Sequence, residues 1–196
     1  MKAFDIVAEF ERQVASFAGA KFGVAVDSCT SALFLSCKYL KVGEVEIPAR
    51  TYISAPFSVI HAGGTVKLVD KPWSGAYQFL PYPIWDSAKR FRKGMYQGGF
   101  QCLSFHMKKL LPIGRGGMIL TDDEEAVQWF QRASHDGRGG EGMKPFMEER
   151  VDMLGWNCYM TPEQAARGLH LLEGIKPDLP DQYDAYPDLR TMPIFQ

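Results

Sequence analysis

The sequence lacks a surplus of either charge: 22 lysines and arginines stand against 23 aspartates and glutamates, for a formal net charge of -1. That balance removes any bulk electrostatic argument for nucleic acid or an anionic membrane as a partner. Closely paired cysteines are lacking too. Cys29, Cys37, Cys102 and Cys158 are scattered without the spacing of a metal knuckle or a redox dithiol, so no metal is expected and a reducing, cytoplasmic setting fits. The first residues have no uninterrupted apolar run, because Lys2, Asp5, Glu9, Glu11 and Arg12 divide it, and neither a signal peptide nor a membrane span is expected there. No internal repeat is visible.

What is present is a chain of 196 residues, 46% hydrophobic, enough for one sizeable core with at most a small appendage. Val7, Phe10, Val14 and Phe17 recur at three- and four-residue steps, which predicts a helix over Phe4 to Ala18 ended by Gly19. Strand-like runs follow at Phe22 to Val26, Val45 to Ile47, Val66 to Val69, Pro83 to Trp85, Phe100 to Phe105 and Met118 to Leu120. Between and after them, helices are predicted at Thr30 to Leu40, Ile53 to His61, Asp123 to Ala133 and Thr161 to Leu172. Short apolar strands alternating with helices imply an α/β layered fold with a mostly parallel sheet. Ser134 to Glu149, rich in glycine and charge, reads as a mobile surface loop. The expected division is one domain over 1–175 and a proline-rich extended tail over 176–196.

Three segments could carry chemistry. Asp27-Ser28-Cys29-Thr30-Ser31 joins a strand to a helix start, where backbone N–H groups and the helix dipole can receive a phosphate; the same residues also serve as ordinary helix caps. Asp86 ends a strand-like run, where ligands dock in open α/β sheets, although turn aspartates are common at such places. The adjacent Lys89, Arg90, Arg92 and Lys93 read as a solvated basic face. Ser104-Phe105-His106-Met107-Lys108-Lys109, followed by Gly114-Arg115-Gly116-Gly117, puts two lysines between a strand and a glycine turn. An amine held there can form a covalent bond to a carbonyl cofactor or substrate.

The order of these blocks resembles the DegT/DnrJ/EryC1/StrS family of pyridoxal-phosphate-dependent sugar aminotransferases. Asp27 to Leu33 looks like its phosphate loop, Pro48 to Ser54 its P-x-x-T-aromatic segment, and Asp86-Ser87-Ala88 its E-D-x-A block. Ser104 to Lys109 with Gly114 to Thr121 resembles S-F-H-x-x-K followed by G-x-G-G-x-x-x-T. Gly155-Trp156-Asn157 with Gln164-Ala165-Ala166 resembles G-[YF]-N and Q-A-A.

The resemblance implies a fold-type-I large domain in reduced form, with the small C-terminal domain largely absent, and a role for each block. Lys109 would carry the cofactor on its amine and shuttle a proton, leaving Lys108 as a bystander. Asp86 would face the pyridine nitrogen, Tyr52 would stack on the ring, and Thr30, Ser31 and Ser104 would hold the phosphate. Asn157 would reach the phosphate of an adjacent subunit, which implies a homodimer with shared sites. Lys89 takes the position of the family glutamine that contacts the cofactor's phenolic oxygen; Cys29, Arg115 and Tyr159 are further departures. The implied activity is transfer of an amino group, from a donor such as glutamate, to a keto sugar attached to a nucleotide. A catalytically impaired relative that binds the cofactor or dimerises, and dehydration or epimerisation with the same cofactor, are the alternatives that the sequence leaves open.

Overall fold

In the computed structural model, residues 4–139, 145–149 and 151–196 are described. Helix α1 (Asp5–Ala18) buries Val7, Phe10 and Val14 on one stripe, and Gly19 ends it in the left-handed conformation at φ 89°. Strand β1 (Phe22–Val26) feeds α2 (Cys29–Leu40), followed by β2 (Glu44–Pro48), α3 (Ser54–Ala62) and β3 (Thr65–Val69). Then come β4 (Tyr77–Gln78), β5 (Ile84–Asp86), β6 (Phe100–Ser104), β7 (Gly117–Thr121), α4 (Glu124–Ala133) and α5 (Pro162–Leu172).

The helices fall close to where apolar spacing predicts them; β4 is the strand that the pattern misses. Two residues are too few to show alternation.

The strands form a five-stranded sheet in the order β1-β7-β6-β5-β4 and a two-stranded sheet, β2-β3. An antiparallel bridge between Glu46 and Leu80, two residues beyond β4, joins the two. Strands β1, β2, β3, β5 and β6 run in one direction, with β4 and β7 against them. Between β3 and β5 the one regular element is the two-residue β4, which pairs with β5 as a short hairpin.

Alternate strand residues serve opposite faces. Val24, Val26, Cys102 and Ile119 pack with α2 and α4, whereas Ala25, Leu103, Met118 and Leu120 pack with α1 and α5. A sheet covered on both faces needs unbroken apolar strands, and all five residues of β7 are buried.

Residues 176–196 contain no strand or α-helix, only 3-10 turns at Leu189–Thr191 and Pro193–Phe195. They are nevertheless held along their length. Arg90 makes a two-pronged ion pair with Asp181 (2.9 and 2.7 Å), and the Leu189 N–H donates to the Ala49 carbonyl (3.0 Å) with Leu189 itself buried. Of the glycine-rich segment 134–149, Gly140, Glu141, Gly142, Met143 and Lys144 lie outside the described residues. The rest includes a 3-10 turn at Phe146–Glu148 and an Arg138–Glu149 ion pair.

Candidate active site

The parallel strands β1, β5 and β6 end at the same edge of the sheet, and the antiparallel β7 begins there. Asp27, Asp86, Ser104 and Gly117 are therefore brought to one rim from distant parts of the sequence. At that rim β7 passes hard against the start of α2. A Cβ on Gly117 would lie 2.4 Å from the Ser28 carbonyl carbon, so only glycine admits the approach. Ser104 sits opposite Gly117 in the β6–β7 register, which sets it beside the same turn.

The turn is tightly hydrogen-bonded. Ser28 caps α2 by accepting from the Ser31 N–H (3.1 Å), and Ser31 Oγ donates to Asp27 (2.6 Å). Arg115 closes the group with an ion pair to the other Asp27 oxygen (2.6 Å). Thr30 Oγ1 donates to Ser54 Oγ (2.9 Å) at the start of α3. Two of the three hydroxyls expected to hold phosphate, those of Thr30 and Ser31, are thus engaged within the chain, and an anion recruiting them must exchange these bonds.

Asp86 is buried at the end of β5. Tyr77, directly opposite in the β4–β5 register, donates its hydroxyl to Asp86 Oδ2 (2.9 Å), and the Ala88 N–H donates to Oδ1 (2.9 Å). Thr51 bonds the Tyr77 hydroxyl in turn (2.7 Å). Burial raises the Asp86 pKa, and these bonds with the charges of Lys109 and Lys89 only partly offset that.

Lys109 supplies the amine. It lies half-buried on the loop after β6, its N–H bonded to the His106 carbonyl (2.8 Å), while Lys108 is exposed. Burial and then the charge of Lys89 lower the Lys109 pKa, against the pull of Asp86, Cys29 and Asp184. A lysine held below its ordinary value carries more of the unprotonated, nucleophilic amine near neutral pH.

Lys89 is 5% exposed rather than part of a solvated face, and it forms an ion pair with Asp184. Around that pair the chain runs close on both sides: the Gln182 N–H donates to the Lys89 carbonyl (2.9 Å) and Gln182 Nε2 to the Lys108 carbonyl (3.1 Å). The Tyr186 hydroxyl donates to Asp184 (3.1 Å), and its ring lies 5.8 Å from Lys89 Nζ. Tyr52, 60% exposed, stands at the mouth with its ring 6.4 Å from that of Tyr186. A cleft of about 450 Å³ opens beside them, lined by Arg50, Trp73 and Tyr183 among others.

The structure therefore gathers Asp86, Lys89 and Lys109 into one cluster and sets Thr30, Ser31 and Ser104 on the same rim. It does not bring Asn157 there. Asn157 is exposed and donates to Asp136 (3.1 Å) in the turn after α4. Sequence reasoning missed Tyr77, Thr51 and Asp184. A hairpin reading of Tyr77 to Asp86 around Pro81 would have exposed the first; nothing local marks Asp184, 95 residues from Lys89.

A helix-flanked mixed sheet with a buried carboxylate and a pKa-lowered lysine at its carboxyl edge is the architecture of fold-type-I pyridoxal phosphate proteins. The chain belongs to the DegT/DnrJ/EryC1/StrS aminotransferase family, whose sequence profile matches residues 2–74 and 92–185. Relatives include the spore coat polysaccharide biosynthesis protein SpsC of Bacillus subtilis (strain 168), 28% identical over 86% of this chain and 57% of that protein. GDP-perosamine synthase of Caulobacter vibrioides is 27% identical over the same shares. The chain thus spans little more than half the length of either relative. Among solved structures, 3-amino-5-hydroxybenzoic acid synthase superposes with a TM-score of 0.75 at 21% identity, over 86% of this chain and 56% of that one. NtdA of Bacillus subtilis, solved with bound cofactor PMP, gives 0.72 at 19% identity, over 86% and 48%. At those identities the structures establish the fold alone.

Proposed function

We propose that this chain binds pyridoxal phosphate at the Asp86–Lys109 pocket and transfers an amino group from an amino acid, glutamate being the expected donor, to a keto sugar carried on a nucleotide. The observation that supports it most is a buried carboxylate, fixed by the Tyr77 hydroxyl and the Ala88 N–H, within electrostatic reach of a lysine of lowered pKa. Pyridoxal phosphate, when bound, supplies an aldehyde that takes up amines and a ring that withdraws electrons from the carbon next to nitrogen.

The chain's own residues divide the remaining work. Asp86, its carboxylate fixed by the Thr51–Tyr77 hydrogen bonds, would hold the ring's positive charge. Lys109 would hold the cofactor through its amine and move a proton at Nζ. The α2 turn and Ser104 would hold the phosphate, and Tyr52 would pack against the ring. Lys89, neutralised by Asp184, would add a cation nearby.

The sugar assignment draws on the relatives named above. The shared-site homodimer draws on Asn157, which faces away from this chain's own cluster, and on Phe146, Met147 and Leu154, exposed apolar groups on the neighbouring segments. Four buried free cysteines suit a cytoplasmic setting, and among the described residues no helix is long and apolar enough to cross a membrane.

Glutamate added to the chain loaded with pyridoxal phosphate, with no sugar present, tests the reading. Stoichiometric release of 2-oxoglutarate, lost in Lys109→Ala and kept in Lys108→Ala, is the expected result. Cofactor binding without that release would favour another reaction of the same cofactor or an impaired relative.

A further inference from the structure

Lys89 is a nearly buried ammonium whose carboxylate partner comes from a segment with no helix or strand. Asp184 sits between Asp181, pinned by Arg90, and Leu189, pinned by Ala49, so the intervening residues form a strap fastened at both ends. Its middle touches the pocket through Asp184 and Tyr186. Asp184 feels both Lys89 and Lys109, and those charges with the Tyr186 hydroxyl lower its pKa. A buried cation with a second lysine beside it is a receptor for a carboxylate.

We propose that Lys89 is a carboxylate subsite, that Asp184 is its resident internal occupant, and that the acid group of an incoming amino or keto acid displaces it by lifting the strap. The aminotransferase reading supplies the class of acid; the subsite rests on this chain's own charges. Displacement leaves no charge unpaired. The entering carboxylate takes over Lys89, and the 53% exposed Asp184 side chain turns into water at little cost. Extended backbone between two anchors can bow outward while both anchors hold. The ring of Tyr186, stacked 6.3 Å from Trp73 and facing Tyr52, would move with it and open the 450 Å³ cleft to the pocket.

An internal competitor acts at an effective concentration of order millimolar, so it weakens the apparent affinity for a free acid. Glutarate, which has two carboxylates but neither amine nor ketone, is the probe. Titrated into the full chain by calorimetry, it should bind about tenfold more tightly to Asp184→Asn than to the parent. Binding should be lost in Lys89→Gln and unchanged in Asp184→Glu, which keeps the latch. Hydrogen exchange at the Gln182 amide should quicken on adding glutarate to the parent. Equal glutarate affinity in the parent and Asp184→Asn, or retained affinity in Lys89→Gln, would overturn the proposal. Because glutarate does not react, failure here leaves the aminotransferase reading standing, and a chain that releases no 2-oxoglutarate can still pass.

Discussion

Lys89 and Lys109 bring two amines within electrostatic reach of each other, and the carboxylates around them set what each can do. Desolvation and the neighbouring cation lower the Lys109 pKa, which suits the nucleophilic role proposed for it. The sequence alone left Lys108 and Lys109 both open, and the family resemblance pointed to Lys109; the Lys89–Asp184 pair was not legible, since a lysine among Arg90, Arg92 and Lys93 reads as surface. Glu11 is a second perturbed group, on the face of α1 away from the pocket. Burial lifts its pKa from 4.5 to about 7 while it accepts from the Ala25 N–H (2.7 Å). The folded chain keeps this proton where the unfolded chain has released it, so stability declines as pH rises through 4.5 to 7. The full penalty is on the order of 3 kcal/mol. Glu11→Gln keeps the accepting oxygen and removes the ionisation. Its thermal midpoint should exceed the parent's above pH 7 and approach it below pH 4.5; a difference independent of pH would contradict the assignment.

Individual elements were the most legible part, because their signals are local. Thr161 before Pro162, with Gln164 three residues on, announces the start of α5. In the structure Thr161 and Gln164 form a reciprocal cap, with the Thr161 N–H donating to Gln164 Oε1 (2.9 Å). Thr161→Ala should cost about 1 kcal/mol, read as a lower urea midpoint at unchanged slope, and Thr161→Ser should restore it. A midpoint unmoved by Thr161→Ala would show that packing of α5 on α1 alone sets the helix. The phosphate turn shows the limit of local reading. In sequence, Asp27, Ser28 and Thr30 read as possible caps and Thr30 and Ser31 as phosphate ligands; the structure displays Ser28 as the cap, with Arg115 balancing Asp27 across 88 residues of sequence.

Across the whole molecule, the pocket exists because parallel strands end together, so residues from β1, β5 and β6 meet although scores of residues separate them. The strand and helix order gave this layered arrangement away. The two-residue β4 and the docking of residues 181–189 were hidden, the first for want of periodicity and the second because its fastenings join distant residues, 91 apart for Arg90–Asp181 and 95 for Lys89–Asp184. On the proposed function, this rim holds pyridoxal phosphate on one particular amine. That is read by loading the chain with pyridoxal phosphate, reducing it with borohydride and mapping the modified peptide. A single phosphopyridoxyl group on Lys109 is the expected result; modification of Lys108 or Lys89 instead, or of surface lysines at random, would rule the assignment out.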